Sequence, residues 1–323
     1  MAIVALLSNP HSTGNRSILP KVRCFCARNP DLFHYEVEEI SQVKKALETI
    51  ARVKPKVLVV NGGDGTVQTV LTELYHGGHF EGNPPPVAVL SNGKTNLIAL
   101  DLGSEGDPIA ALRRIVEAAK GDLAPFVVGR ELIALSDGSE GAKPVLGMFL
   151  GGAGLAETIL YCRHKIYPLG FPNGFSHVIA LMAVFFSAIS GLRASFLPRR
   201  SEPIRISLFR RKELQGIFSI LIVTTLERLL LGSKTAESEK PGKLKLMVVD
   251  ERPWTMFRAI FSAMIGNLGP GKIKGIHIEQ GDVIRIDSAR CSVVLDGEIF
   301  EANELKPILL RSTAPVPFLR LAT

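Results

Sequence analysis

The chain has 323 residues, 46% of them hydrophobic and 21% charged, enough length and apolar content for two domains with buried cores. No low-complexity tract dominates and four cysteines are too few to staple a chain this long, which excludes wholesale disorder, a collagen-like fibre and a disulfide miniprotein. The formal charge is +7, and the excess is local: residues 1–127 carry 13 basic and 13 acidic side chains, residues 128–323 carry 25 and 18. An even basic coat for nucleic acid is not distributed this way, whereas a patch facing phospholipid headgroups is.

The start, MAIVALLSNP, has no basic leader, and its apolar run covers only 2–7. It reads as a first strand rather than a signal peptide. Apolar runs at 3–7, 57–60 and 87–90 predict buried strands, each followed by a polar loop and a helical pattern. The clearest helical stripe is Val67, Val70, Leu71, Leu74, spaced i, i+3, i+4, i+7. Strand–loop–helix repetition predicts an α/β domain with a parallel sheet under helices. After residue 126 the rhythm changes. Strand-like runs at 145–150, 204–209, 217–223, 244–249, 273–278, 283–286 and 292–295 alternate with turn residues and predict an antiparallel β-rich second domain.

One segment, FSHVIALMAVFFSAISGL at 175–192, has 18 residues without a formal charge, the lower edge of a membrane span. Its Ser176, His177, Ser187, Ser190 and Gly191 favour a buried or lipid-facing helix instead. Arg193, Arg199, Arg200, Arg205, Arg210, Arg211 and Lys212 follow, against Glu202 alone. An apolar helix beside a basic cluster suits docking on an anionic bilayer. Cys24 and Cys26 form a C-x-C pair with no second pair at zinc spacing, so reduced thiols are expected.

In a parallel sheet the loops that leave the strands share the carboxyl edge, where α/β proteins bind ligands. Here they read N-P-H-S-T-G-N at 9–15, N-G-G-D-G-T at 61–66 and S-N-G-K-T-N at 91–96. Glycines let backbone N–H groups approach an anion and the following helix start favours it, so the three loops together predict a phosphate cradle. G-K-T at 93–95 is not a P-loop, because that motif needs glycine at 88, where alanine stands. Neither Gly269-Pro270-Gly271 nor Gly151-Gly152-Ala153-Gly154 has the dinucleotide-binding spacing. Asp64 lies in its glycine loop at a helix start, a place for a carboxylate in Mg²⁺-nucleotide chemistry or for a helix cap. Asp296-Gly297 reads equally as a β-turn.

G-G-D-G-T at 62–66 after an apolar strand resembles the signature of the diacylglycerol kinase catalytic-domain family, which includes bacterial lipid kinases, sphingosine kinases and ceramide kinases and is related to NAD kinases. N-P-H-S-T-G at 9–14 is similar to the family's N-P-x-S-G, G-K-T-N-L-I-A at 93–99 to its G-T-x-N-x-x-A, P-G-K-L-K-L-M-V-V at 241–249 to its D-G-x-L strand, and L-D-G-E at 295–298 to its late D-G-E. The resemblance spans nearly the whole chain. It implies an NAD-kinase-like nucleotide-binding domain over 1–126, with 305–323 returning to it, and a β-rich antiparallel sandwich over 127–304 that holds a lipid. It implies ATP-side positions at Asn9, Gly62, Gly63, Asp64, Gly65, Thr66, Lys94, Thr95, Asn96 and Glu298, with Asp296 as general base and Asp64 as its catalytic companion. Mg²⁺ is the implied cofactor, with its ligands unassigned. The substrate-side motif departs from the family pattern: Ala156 stands where the family has Asp, and Glu157 is the nearby carboxylate. Lys94 likewise stands at the usual Thr.

The implied function is an ATP- and Mg²⁺-dependent kinase acting on the hydroxyl of a lipid alcohol, either diacylglycerol or a sphingolipid such as ceramide. It would be cytoplasmic, in peripheral contact with the anionic inner face of the cell membrane, without nucleic acid, and able to form a homodimer. The alternatives are a lipid-binding regulatory pseudokinase, motivated by Lys94 and Ala156, and an NAD kinase, which has no use for the apolar segment.

Overall fold

A computed structural model describes residues 3–92, 97–104, 106–139, 141, 143–161, 202–209, 212–227, 242–264, 273–303 and 306–321. The first domain runs β1 (Val4–Ser8), α1 (Asn15–Ala27), β2 (Leu32–Glu36), α2 (Val43–Val53), β3 (Val57–Gly62), α3 (Asp64–His76), β4 (Val87–Ser91), α4 (Leu97–Asp101), α5 (Pro108–Lys120) and β5 (Val127–Arg130). Strands β1 to β4 are parallel, in the order β2-β1-β3-β4. The chain's last strand, Val316–Leu319, lies beside β4 in parallel and pairs antiparallel with β5. The apolar runs are continuous because both faces of this sheet are covered. Val4, Leu6, Val57 and Val59 meet α1 and α5 through Leu19, Val22, Leu112 and Ile115. Ala5, Leu7, Leu58 and Val60 meet α2 and α3 through Leu47, Ile50, Val67, Val70 and Leu71.

The second domain continues with β6 (Ile133–Ser136), β7 (Val145–Gly147), β8 (Phe149–Gly152), α6 (Gly154–Tyr161), β9 (Ile204–Leu208), β10 (Lys212–Gly216), β11 (Phe218–Thr224), β12 (Leu244–Asp250), α7 (Pro253–Met264), β13 (Ile276–Gly281), β14 (Val283–Asp287), β15 (Arg290–Leu295), β16 (Glu298–Asn303) and β17 (Ile308–Ser312), before β18 (Val316–Leu319) returns to the first sheet. Among the described residues these strands form two six-stranded antiparallel sheets, β10-β9-β14-β17-β6-β7 and β13-β12-β11-β8-β15-β16. Ile206, Ile284 and Leu310 of one share a core with Leu221, Leu246 and Val293 of the other, a sandwich built by alternating inward residues. Helix α7 packs on the outer face of the second sheet through Ala259 against Val249, Ile276 and Ile278.

The run expected as one strand at 145–150 is two. Strand β7 belongs to one sheet and β8 to the other, so the chain changes sheets at Met148. A continuous apolar run carries no mark of such a corner. The strand expected from 273 begins at Ile276, because Gly275 turns the chain at φ +86. Strand β5, after residue 126, is in the first sheet, and β17, after residue 304, is in the sandwich. Strand β10, KELQG, has too little apolar alternation to be read as a strand from sequence. The apolar segment at 175–192 and Arg193, Arg199, Arg200, Arg210 and Arg211 lie outside the described residues. Among the described residues no helix is long and apolar enough to cross a membrane.

The two domains meet along α3. Leu132, Leu146, Met148 and Leu226 of the second domain join the cluster that holds Val67, Val70 and Leu71.

Candidate active site

Three strand exits are stitched together at the carboxyl edge of the first sheet. Each begins with asparagine: Asn9, Asn61 and Asn92. Asn9 Nδ2 donates to Thr66 Oγ1 at 2.9 Å, and Asn9 Oδ1 accepts from His11 N–H at 2.9 Å. Asn61 Nδ2 donates to Ser8 Oγ at 2.9 Å, and Asn92 Nδ2 donates to Asn61 Oδ1. Asn15, at the start of α1, donates to the carbonyls of Asn9 (2.7 Å) and Asn61 (3.0 Å). Ser12 Oγ accepts from Gly63 N–H at 3.0 Å. The loops also touch through backbone: Gly14 N–H donates to Asn92 O at 3.1 Å, and a Cβ on Gly14 would stand 2.8 Å from that oxygen. Gly62 is needed because a Cβ there would collide with the Thr66 side chain at 2.7 Å.

Asp64 is the first residue of α3, and the cap position is held by Gly63, whose carbonyl accepts from the N–H groups of Thr66 and Val67. The Asp64 carboxylate is near enough to the second domain for its charge to act on Asp296. Across from it stands the hairpin that joins β15 and β16. Its two turn residues, Asp296 and Gly297, have φ +45 and +93, the signature of a type I′ turn, for which Asp-Gly is a preferred pair. The turn reading of this dipeptide is thus correct, and the turn also presents a carboxyl.

That carboxyl is buried. Asp296 Oδ2 accepts from Met148 N–H at 2.8 Å and Oδ1 from Phe149 N–H at 3.0 Å, at the corner where the chain changes sheets. Asp296 N–H returns a bond to Phe149 O at 2.9 Å. Gly147 makes room: a Cβ there would stand 2.5 Å from Asp296 Oδ2. Burial, reinforced by the charge of Asp64, pushes the Asp296 carboxyl up to about 8, against the pull of the two N–H donors. A carboxyl with that value exchanges a proton near neutral pH, as an acid–base group must. Glu298 follows the turn, exposed, with Oε1 3.0 Å from where a Cβ on Gly65 would be. The D-G-E turn thus lies directly over the G-G-D-G-T helix start.

Residues 4–127 match the diacylglycerol kinase catalytic domain. This part of the chain is similar to a diacylglycerol kinase catalytic domain. The fold likeness extends beyond it. A diacylglycerol kinase from Bacillus anthracis str. Sterne superposes with a TM-score of 0.61 at 17% identity, covering 98% of this chain and 96% of that one. A candidate diacylglycerol kinase from the same organism gives 0.64 at 18%, covering 96% and 94%. No curated protein matches the sequence.

The first domain brings Asn9, Gly62, Gly63, Asp64, Gly65 and Thr66 to one edge, and the sandwich brings Asp296 and Glu298 to face them. Both ends of the Asn9 side chain and the Thr66 hydroxyl are engaged in holding the loops to one another. Lys94, Thr95 and Asn96 lie outside the described residues. Glu157 is elsewhere: it sits in the first turn of α6, and its charge is felt by Cys291, at the opposite end of β15 from Asp296. Five residue steps along the strand take the chain from Cys291 to Asp296, about 17 Å. Ala156, at the position of the family's substrate-side Asp, is fully buried.

Several contributors were not singled out from sequence: Gly147, the corner at Met148 and Phe149, and a polar face of α3. Gln68 Nε2 donates to Leu295 O at 2.7 Å, Thr72 Oγ1 accepts from Leu146 N–H at 3.0 Å, and His76 Nε2 lies 2.8 Å from Pro144 O. Their spacing of four residues was the available signal. A charged knot lies at the end of α4. Asp101, the last residue of α4, lies 3.4 Å from Arg130 Nη2 and accepts from Glu227 N–H at 2.9 Å, and Arg130 Nη1 bonds Glu227.

Proposed function

We propose that the protein is an ATP-dependent kinase that phosphorylates the hydroxyl of a lipid alcohol, a diacylglycerol or a sphingolipid such as ceramide. The observation that carries this reading is the buried Asp296 carboxyl, held by two backbone donors and facing Asp64 at the head of the glycine-loop helix. The three glycine- and asparagine-rich loops would cradle the ATP phosphates beside the α3 start. Asp296 takes the proton of the lipid hydroxyl at a carboxylate oxygen while the hydroxyl oxygen bonds to the γ-phosphorus. The bond from that phosphorus to the β–γ bridging oxygen breaks, and ADP leaves with the electron pair.

Mg²⁺ fits the donor set. Asp64 and Glu298 offer carboxylate oxygens at the mouth of the loops, and Mg²⁺ is commonly held by one or two carboxylates together with substrate phosphates. When bound it supplies neutralisation of phosphate charge. Burial is the main cause of the raised Asp296 carboxyl, and the added repulsion from Asp64 is the part such an ion would relieve. The basic excess after residue 127 supports peripheral contact with an anionic cytoplasmic membrane surface.

Asp296→Asn tests the assignment. Turnover is expected to fall by about 10²–10⁴-fold while the Kd for ATP, by calorimetry, changes by less than about threefold. Near-normal turnover would remove Asp296 from the base role.

A further inference from the structure

Helix α3 has two faces with different duties. Val67, Val70 and Leu71 lock one face into the core shared with the first sheet. On the other, Asp64, Gln68, Thr72 and His76 recur every four residues, which places them along one line of the helix. Gln68, Thr72 and His76 each bond the second domain, at Leu295 O, Leu146 N–H and Pro144 O. Since a carbonyl only accepts, His76 Nε2 must carry its proton.

Gln68 differs from the other two in its target. Its acceptor is the carbonyl of the residue just before Asp296, and its side chain is buried. The bonds from Met148 and Phe149 fix the Asp296 turn only within its own domain. Toward the glycine-loop helix the corner is held by the packing of Met148 in the α3 core, which is less directional than a hydrogen bond. The Gln68 bond crosses that boundary, from one turn of helix after Asp64 to the residue before Asp296.

We infer that Gln68 is a positioning residue: its amide fixes the Asp296 turn against the helix that begins at Asp64, and so sets the spacing of the two carboxylates across the cleft. The catalytic consequence rests on the lipid-kinase reading; the geometric one does not. A buried amide aimed at a carbonyl is also ordinary interface chemistry, and Thr72 supplies the comparison, because it accepts from Leu146 N–H on β7 and makes no bond to the residue before Asp296.

The test compares Gln68→Met, which keeps the volume and removes the donor, with Thr72→Val. Gln68→Met is expected to lower kcat by about 10- to 100-fold, the scale of a misplacement of about 1 Å, with the calorimetric Kd for ATP unchanged. Thr72→Val, which removes a bridge to β7 and not to the turn itself, is expected to lower kcat by less than Gln68→Met does. In the Asp296→Asn background, Gln68→Met is expected to cost nothing further, since it acts through Asp296. Equal kcat losses in Gln68→Met and Thr72→Val, or a full additional loss in the Asp296→Asn background, would overturn the inference. Amide hydrogen exchange at 296–298 reads the geometry without activity. It should quicken in Gln68→Met and not in Thr72→Val, and unchanged exchange in both would overturn the inference. If the wild-type protein phosphorylates no lipid while exchange responds as expected, the kinase reading fails and the positioning stands. Gln68→Leu, which also lacks the donor, replaces Gln68→Met if that variant does not fold.

Discussion

Asp296 is costly to ionise where it sits, and the cost has a pH signature. Its carboxyl is raised from the usual 3.8 to about 8, first by burial and then by Asp64. Below pH 3.8 it is protonated whether the chain is folded or not. As pH rises the unfolded chain ionises first, so this group withdraws stability progressively until the folded carboxyl ionises near 8. Urea denaturation should therefore show stability falling across that interval, and Asp64→Asn, which removes the second cause, should shorten it. A wild-type curve and an Asp64→Asn curve that run parallel would contradict the coupling. Gly147→Ala makes a separate prediction. Its Cβ would stand 2.5 Å from Asp296 Oδ2, so overpacking should cost about 1–3 kcal/mol of stability, with a larger fractional loss of turnover because the carboxyl is displaced. At this scale the sequence was readable where a motif names the residue, as at Asp64, Asp296 and Glu298. Gly147 was unreadable, because its need comes from a side chain 149 positions away in sequence.

The three loops act as one element although they come from three strands. Asparagine side chains and the contact of Gly14 with Asn92 tie them. Gly14→Ala should wedge the first loop from the third, since the clash is with backbone oxygen. Weakening of ATP binding by about tenfold, equivalent to about 1.4 kcal/mol, is expected by calorimetry. Unchanged affinity would separate the loop contact from nucleotide binding. The parallel strands and the loops after them were visible in sequence, because strands buried on both faces are continuous apolar runs bounded by Gly and Asn. The sandwich strands were visible as a class and less so in their limits. The chain crosses between sheets at Met148 inside an apolar run, and β10 and β16 carry mostly polar residues on outward positions. The polar face of α3 was hidden behind its apolar one, although a four-residue recurrence of Asp, Gln, Thr and His was there to be seen.

Across the whole molecule, the site exists only if the two domains keep their docking. Arg130 is central: it bonds Glu227 and faces Asp101, a fully buried carboxylate, at 3.4 Å. Removing one member of a buried ion pair typically costs about 3–5 kcal/mol because the other is left charged. Arg130→Met should show a loss on that scale in urea denaturation, and adding Asp101→Asn should recover part of it. The central claim, phosphorylation of a lipid hydroxyl, is tested most directly by one assay. Purified protein, labelled ATP and Mg²⁺ are incubated with micelles of diacylglycerol, monoacylglycerol, ceramide or sphingosine, and the extracted lipids are separated by chromatography. One lipid should take the label well above the others and lose it in Asp296→Asn. ATP bound by folded protein with no label in any lipid, while a control kinase works, would contradict the account.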